Sequence, residues 1–133
     1  MAINQPYQTY KQNAVNTSSP GDLTLMLYNG CLKFITLAKR AIEDKNIEKR
    51  NENLGKAQNI INELMITLNL DVEISKYMLQ MYDYIYRRLV EANTKNDINI
   101  LNEVEGYVME FRDTWKEVMK LAKKDNGPSN GLV

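Results

Sequence analysis

Apolar side chains recur every three or four residues along four segments of the 133-residue chain, at about 20–44, 48–68, 72–93 and 98–123. This spacing places them on one side of an α-helix, and no segment shows the sustained alternation of a half-buried strand. The connections are only about three to five residues long, which makes neighbouring helices antiparallel. The pattern therefore predicts an all-α fold, an antiparallel up-down-up-down four-helix bundle.

The two ends of the chain differ in composition from this helical region. Residues 1–18 are polar and are predicted to form an N-terminal arm or short helix, residues 19–124 the bundle, and residues 125–133 a disordered tail. Within the arm, Tyr7 and Tyr10 are three residues apart, the spacing of one helical face. The arm is interpreted either as a frayed end or as a segment that docks on a partner.

The first and third predicted helices carry wider apolar arcs than one packed face needs. The arcs span about 140° and 120° on the second and fourth helices, but about 260° and 240° on the first and third. We expect the apolar residues that exceed one packed face to form an apolar binding groove. Its expected residues are Leu25, Tyr28, Leu32, Ile35 and Ile42 on the first helix and Leu79, Tyr82, Tyr86 and Val90 on the third.

The remaining apolar positions of the third helix, Ile74, Tyr77 and Met81 among them, are expected to serve the core. The pattern equally allows the opposite assignment, in which the expected groove positions are buried and the other stripe is exposed. Three partners are considered for the groove: the N-terminal arm, a second copy of the chain, or a foreign amphipathic helix. Seven methionines and eight tyrosines favour the foreign helix, because both residue types suit adaptable interfaces. A homodimer is the alternative.

Several function classes are disfavoured by composition. The chain has no histidine, so the commonest general base and metal ligand is missing, and we expect neither an enzyme nor a cofactor. Seventeen basic residues balance seventeen acidic ones, which gives no basic excess for nucleic acid. No apolar run is long enough for membrane insertion, and the N-terminus does not read as a secretory signal. With a single cysteine, the expected location is the cytoplasm.

An ordered set of motifs resembles the FliS family of flagellar secretion chaperones. The matching segments are 20–32 (PGDLTLMLYNGCL), 56–64 (KAQNIINEL), 82–89 (YDYIYRRL), 92–97 (ANTKND), 103–105 (EVE) and 115–116 (WK). Their order and spacing, from Tyr7 to about Val118, make the set far more specific than any single piece.

The resemblance implies an antiparallel helical bundle that acts as a cytoplasmic export chaperone. It implies binding of the disordered C-terminal segment of flagellin, which blocks premature filament assembly, and delivery to the export gate protein FlhA. It links Tyr7 and Tyr10 to gate docking and to covering part of the empty groove. A homodimer of the unloaded chain, or a structural homo-oligomer that uses the same surface, is the rival expectation.

Overall fold

The computed structural model describes residues 20–125, and within that range it contains four α-helices and no strand. The helices are α1 (Pro20–Glu43), α2 (Ile47–Ile66), α3 (Glu73–Lys95) and α4 (Ile98–Asp125). The predicted all-α class is confirmed. The predicted arm with Tyr7 and Tyr10, and the tail beyond residue 125, lie outside the described residues.

The helices form a ring in which each packs on two neighbours. α1 contacts α2 and α4, and α3 contacts the same two helices, so α1 and α3 face each other diagonally across the centre. Antiparallel packing gives the bundle two distinct ends. At the upper end α1 begins, α2 connects to α3 and α4 finishes; at the lower end lie the α1–α2 and α3–α4 connections.

Tight turns at the lower end hold consecutive helices together. After α1, Asn46 N–H donates to the carbonyl of Ala41 and Lys45 N–H donates to that of Ile42, which is a Schellman ending with Lys45 at φ 58°. The Asn46 side chain then accepts from Lys49 N–H and caps α2. Asn96 ends α3 in the left-handed conformation, one that asparagine tolerates well. These turns make α1–α2 and α3–α4 antiparallel pairs.

The core corrects the groove predicted from the sequence. Four of the nine expected groove residues are buried: Tyr28, Leu32, Ile35 and Tyr82. Leu27 and Phe34 are buried as well, so buried residues occupy both sides of the wide apolar arc of α1. Conversely, Ile74 and Tyr77, which were expected to serve the core, are 49% and 53% exposed.

Cys31 is completely buried, and burial raises the pKa of its thiol from 9.0 to about 12. The unfolded chain therefore loses this proton as the pH rises through about 9, while the folded chain keeps it until about 12. We expect the free energy of unfolding to fall across this window by up to about 1.4 kcal/mol per pH unit from Cys31, and the contribution to be intact below pH 9. Urea unfolding of wild type and Cys31→Ala between pH 8 and 11 measures it, and equal slopes for the two proteins contradict it.

Ser75 carries a buried hydroxyl in the first turn of α3 that has no hydrogen-bond partner among residues 20–125. Such a group loses its hydration without compensation. We expect Ser75→Ala to raise the free energy of unfolding by about 1 kcal/mol, since it removes the unpaired group and favours the helix. Urea unfolding followed by circular dichroism measures the change, and a less stable variant means that the hydroxyl is satisfied in solution.

Candidate functional site

A cavity of about 560 Å³ opens at the upper end of the bundle, where all four helices contribute to its wall. Its polar lining consists of three threonines and the carboxylate of Glu110, the one charged side chain that lines it. The rest is apolar or aromatic: Tyr28, Leu64, Leu68, Ile74, Tyr77, Met78, Met81, Tyr82, Tyr107, Phe111, Trp115 and Val118. A concave site lined by aromatic and flexible apolar side chains is suited to binding apolar groups.

The cavity begins where a polar network between α3 and α4 ends. On the lower half, Glu103 of α4 accepts hydrogen bonds from Tyr84 (2.8 Å) and from Arg88 Nε (2.9 Å) of α3. These bonds hold the pKa of the Glu103 carboxyl below its usual value, led by the one from Arg88. The rings of Tyr84 and Tyr107 meet edge to face at 6.1 Å. Above the Tyr84 and Tyr107 rings, the cavity occupies the space between α3 and α4.

On the side of the cavity opposite α3, α4 is hydrogen-bonded to the first turn of α1. The Trp115 indole Nε1 donates to the Gly21 carbonyl at 2.8 Å. Met119 reaches the same turn, with its Cε 3.5 Å from where a Cβ on Gly21 would lie. Trp115 is half-buried and lines the cavity. It closes the wall between α1 and α4.

The floor of the cavity is a pair of tyrosines from the two diagonal helices. The hydroxyls of Tyr28 and Tyr82 are hydrogen-bonded at 2.5 Å, and the Tyr82 ring meets Phe111 edge to face at 6.0 Å. Burial raises the pKa of Tyr28 to about 12 and raises that of Tyr82 further. Both phenols are therefore neutral at physiological pH.

Apolar side chains are exposed at the upper end of the bundle, where Ile74 and Tyr77 form the rim of the cavity. Among the eight large hydrophobic residues exposed in the described part of the chain, five lie at the upper end: Ile66, Leu70, Ile74, Tyr77 and Leu121. Exposed apolar surface concentrated at one end of a molecule is typical of an interaction site.

The nine expected groove residues fall into three groups. Tyr28 and Tyr82 line the cavity, whereas Leu32 and Ile35 belong to the core and do not reach it. Leu25, Ile42, Leu79 and Tyr86 are half-buried and Val90 is 42% exposed, all outside the cavity.

Sequence reasoning missed the cavity wall of α3, from Ile74 to Met81, by assigning it to the core. A signal was present in the α2–α3 connection, where Leu68, Leu70 and Val72 place apolar side chains in a turn. Turns are normally polar, so apolar residues there indicate surface that something covers.

Within residues 20–125, no helix is long and apolar enough to cross a membrane. Nor does that part of the chain bring together three histidine, cysteine, aspartate or glutamate side chains that could hold a metal ion. The arrangement offers apolar contact and hydrogen bonding, which are the means of holding a polypeptide.

The chain is similar to known proteins of one family over most of its length. The family described as "Flagellar protein FliS" matches residues 3–122. The chain is 61% identical to the flagellar secretion chaperone FliS of Bacillus subtilis (strain 168) over the full length of both proteins. It is 34% identical to the proteins of that name from Escherichia coli, with 80% of each chain covered, and from Salmonella typhimurium, with 84% of each covered.

Proposed function

The chain belongs to the FliS family of flagellar secretion chaperones, which are not enzymes, and we propose that its cargo is the C-terminal segment of flagellin. In this proposal the chaperone works in the cytoplasm, prevents premature filament polymerisation, and delivers flagellin to the export gate protein FlhA. The resemblance described above supplies these partners, and the upper-end cavity supplies the physical basis for holding a segment.

The observation that carries the proposal is the apolar cavity with its exposed rim. An amphipathic helix placed across the upper end would put one apolar face on Ile74 and Tyr77 and send side chains down toward Phe111. Burying this surface is favourable in proportion to the apolar area removed from water. A flagellin segment that assembles through apolar helical faces would find a substitute partner here.

A segment that folds on binding must recover its ordering cost over a wide interface. We therefore extend the proposed contact beyond the cavity, to the partly exposed remainder of the predicted groove. Those residues are Leu25, Ile42, Leu79, Tyr86 and Val90. The cavity is the anchor of this wider surface, because its wall is concave and the other positions are not part of it.

Delivery to the gate is assigned to the N-terminal arm with Tyr7 and Tyr10. α1 begins at the upper end, where the cavity opens. In this proposal the arm that precedes α1 covers part of the empty site and is free for docking when cargo occupies it.

Co-expression with flagellin, followed by size-exclusion chromatography and light scattering, tests the proposal. We expect a complex with full-length flagellin and none with flagellin that lacks its C-terminal segment. A chaperone that elutes as a fixed homodimer or larger oligomer in both cases contradicts it, and supports self-association through the same apolar end.

A further inference from the structure

The tyrosine pair at the cavity floor links two helices that are not neighbours in the ring. α1 and α3 are diagonal in the ring, and the Tyr28–Tyr82 hydrogen bond crosses the centre of the bundle between them. Both helices start at the upper end, so the highest-numbered lining residue of each is the deepest. These residues are Tyr28 on α1 and Tyr82 on α3. The two tyrosines therefore line the deep end of the cavity and also belong to the packed core.

The pair has hydrogen-bonding capacity left over. Two phenol hydroxyls carry two donor protons, and one proton is used in the bond between them. Both groups stay protonated at physiological pH, since the ordinary pKa of a tyrosine is 10.0 and burial raises it further. The second proton needs an acceptor from outside the pair, and water can supply one while the cavity is open.

A segment that fills the cavity displaces this water and must satisfy the same proton. An aliphatic side chain at the floor would leave a buried donor unpaired, which costs more than the hydrogen bond itself contributes. Sites that hydrogen-bond their ligand reject analogues that lack the partner group more strongly than apolar pockets reject a change in size.

We infer that the Tyr28–Tyr82 pair is a specificity determinant that requires a hydrogen-bond acceptor on the cargo side chain reaching the cavity floor. The acceptor is the oxygen of an amide, hydroxyl or carboxyl side chain flanked by apolar residues that fill the rest of the cavity. This inference rests on the proposed function, since it assumes that the flagellin segment enters the cavity. It adds one required hydrogen bond to a contact that is otherwise apolar.

A double-mutant cycle tests the inference. The purified chaperone, as wild type and as Tyr28→Phe/Tyr82→Phe, is titrated by calorimetry with the C-terminal segment of flagellin. Each Asn, Gln, Ser, Thr, Asp and Glu of the segment is replaced in turn by alanine. The double variant is needed because either hydroxyl alone would still donate. Tyr84→Phe is the matched control, since it removes a tyrosine hydroxyl of α3 that bonds Glu103 and does not line the cavity.

We expect one segment position at which alanine weakens binding to wild type by at least roughly 10-fold, but binding to the double variant by less than about 2-fold. Leucine at that position should reverse the preference, so that the double variant binds it more tightly than wild type does. Tyr84→Phe should bind every segment as wild type does. Urea unfolding of the double variant confirms that the comparison is between folded proteins.

Equal losses in wild type and the double variant at every position overturn the inference, and the tyrosine pair is then a structural link between α1 and α3. Failure of wild type to bind the unmodified segment is a different result. It contradicts the proposed function itself rather than the role of the hydroxyls.

Discussion

Replacing Ile74 with aspartate is expected to weaken binding of the flagellin C-terminal segment about 100-fold, because a carboxylate buried under an apolar helix without a partner costs about 3 kcal/mol. Ile74 lies on the cavity rim and is 49% exposed, so the unbound bundle loses little packing. It is also the second residue of α3, where an acidic side chain interacts favourably with the helix N-terminus. Calorimetry with the segment measures affinity, and urea unfolding measures stability.

Met109→Asp is the matched control for this experiment. Met109 is 42% exposed on α4 and does not line the cavity, so the same carboxylate is introduced outside the proposed contact. We expect binding to change by less than about 2-fold there. Equal weakening by both substitutions, or wild-type affinity in a folded Ile74→Asp variant, counts against the cavity as the anchor.

The second large effect concerns stability and separates two isoleucines of the predicted groove. Ile35 is fully buried at the centre of the bundle, whereas Ile42 is half-buried near the end of α1. We expect Ile35→Ala to lower the free energy of unfolding by about 3–4 kcal/mol, since it removes buried methyl groups and leaves a cavity. Ile42→Ala should cost less than about half of that, because its surroundings are partly solvent.

Urea denaturation with an unchanged m-value provides this comparison. Similar, small losses for the two variants would falsify the burial of Ile35. The expected groove residues of α1 would then face solvent. The same reasoning applies to Leu32, which is buried in the core. A charged residue there is expected to unfold the bundle rather than to test cargo binding.

An apolar arc on one helix does not show which of its residues other helices cover. The expected groove residues Leu32 and Ile35 lie in the wide arc of α1, yet both are buried in the core. On α3 the same reasoning placed Ile74 and Tyr77 inside, although α3 and α4 enclose a cavity at that level. Tyr28 and Tyr82 were both expected in the exposed groove, whereas the structure buries them at the cavity floor.

The amino-acid sequence by itself determined the four helices, their antiparallel order and the family, because periodicity, short connections and ordered motifs are local properties of the chain. Only the tertiary structure decided which apolar residues stay uncovered. That depends on where two helices separate along their length, which contacts distant in sequence establish: Arg88 with Glu103 below the cavity, and Trp115 with Gly21 beside it. A helical projection gives the direction of a side chain around its axis, but not the distance to the neighbouring helix at that height.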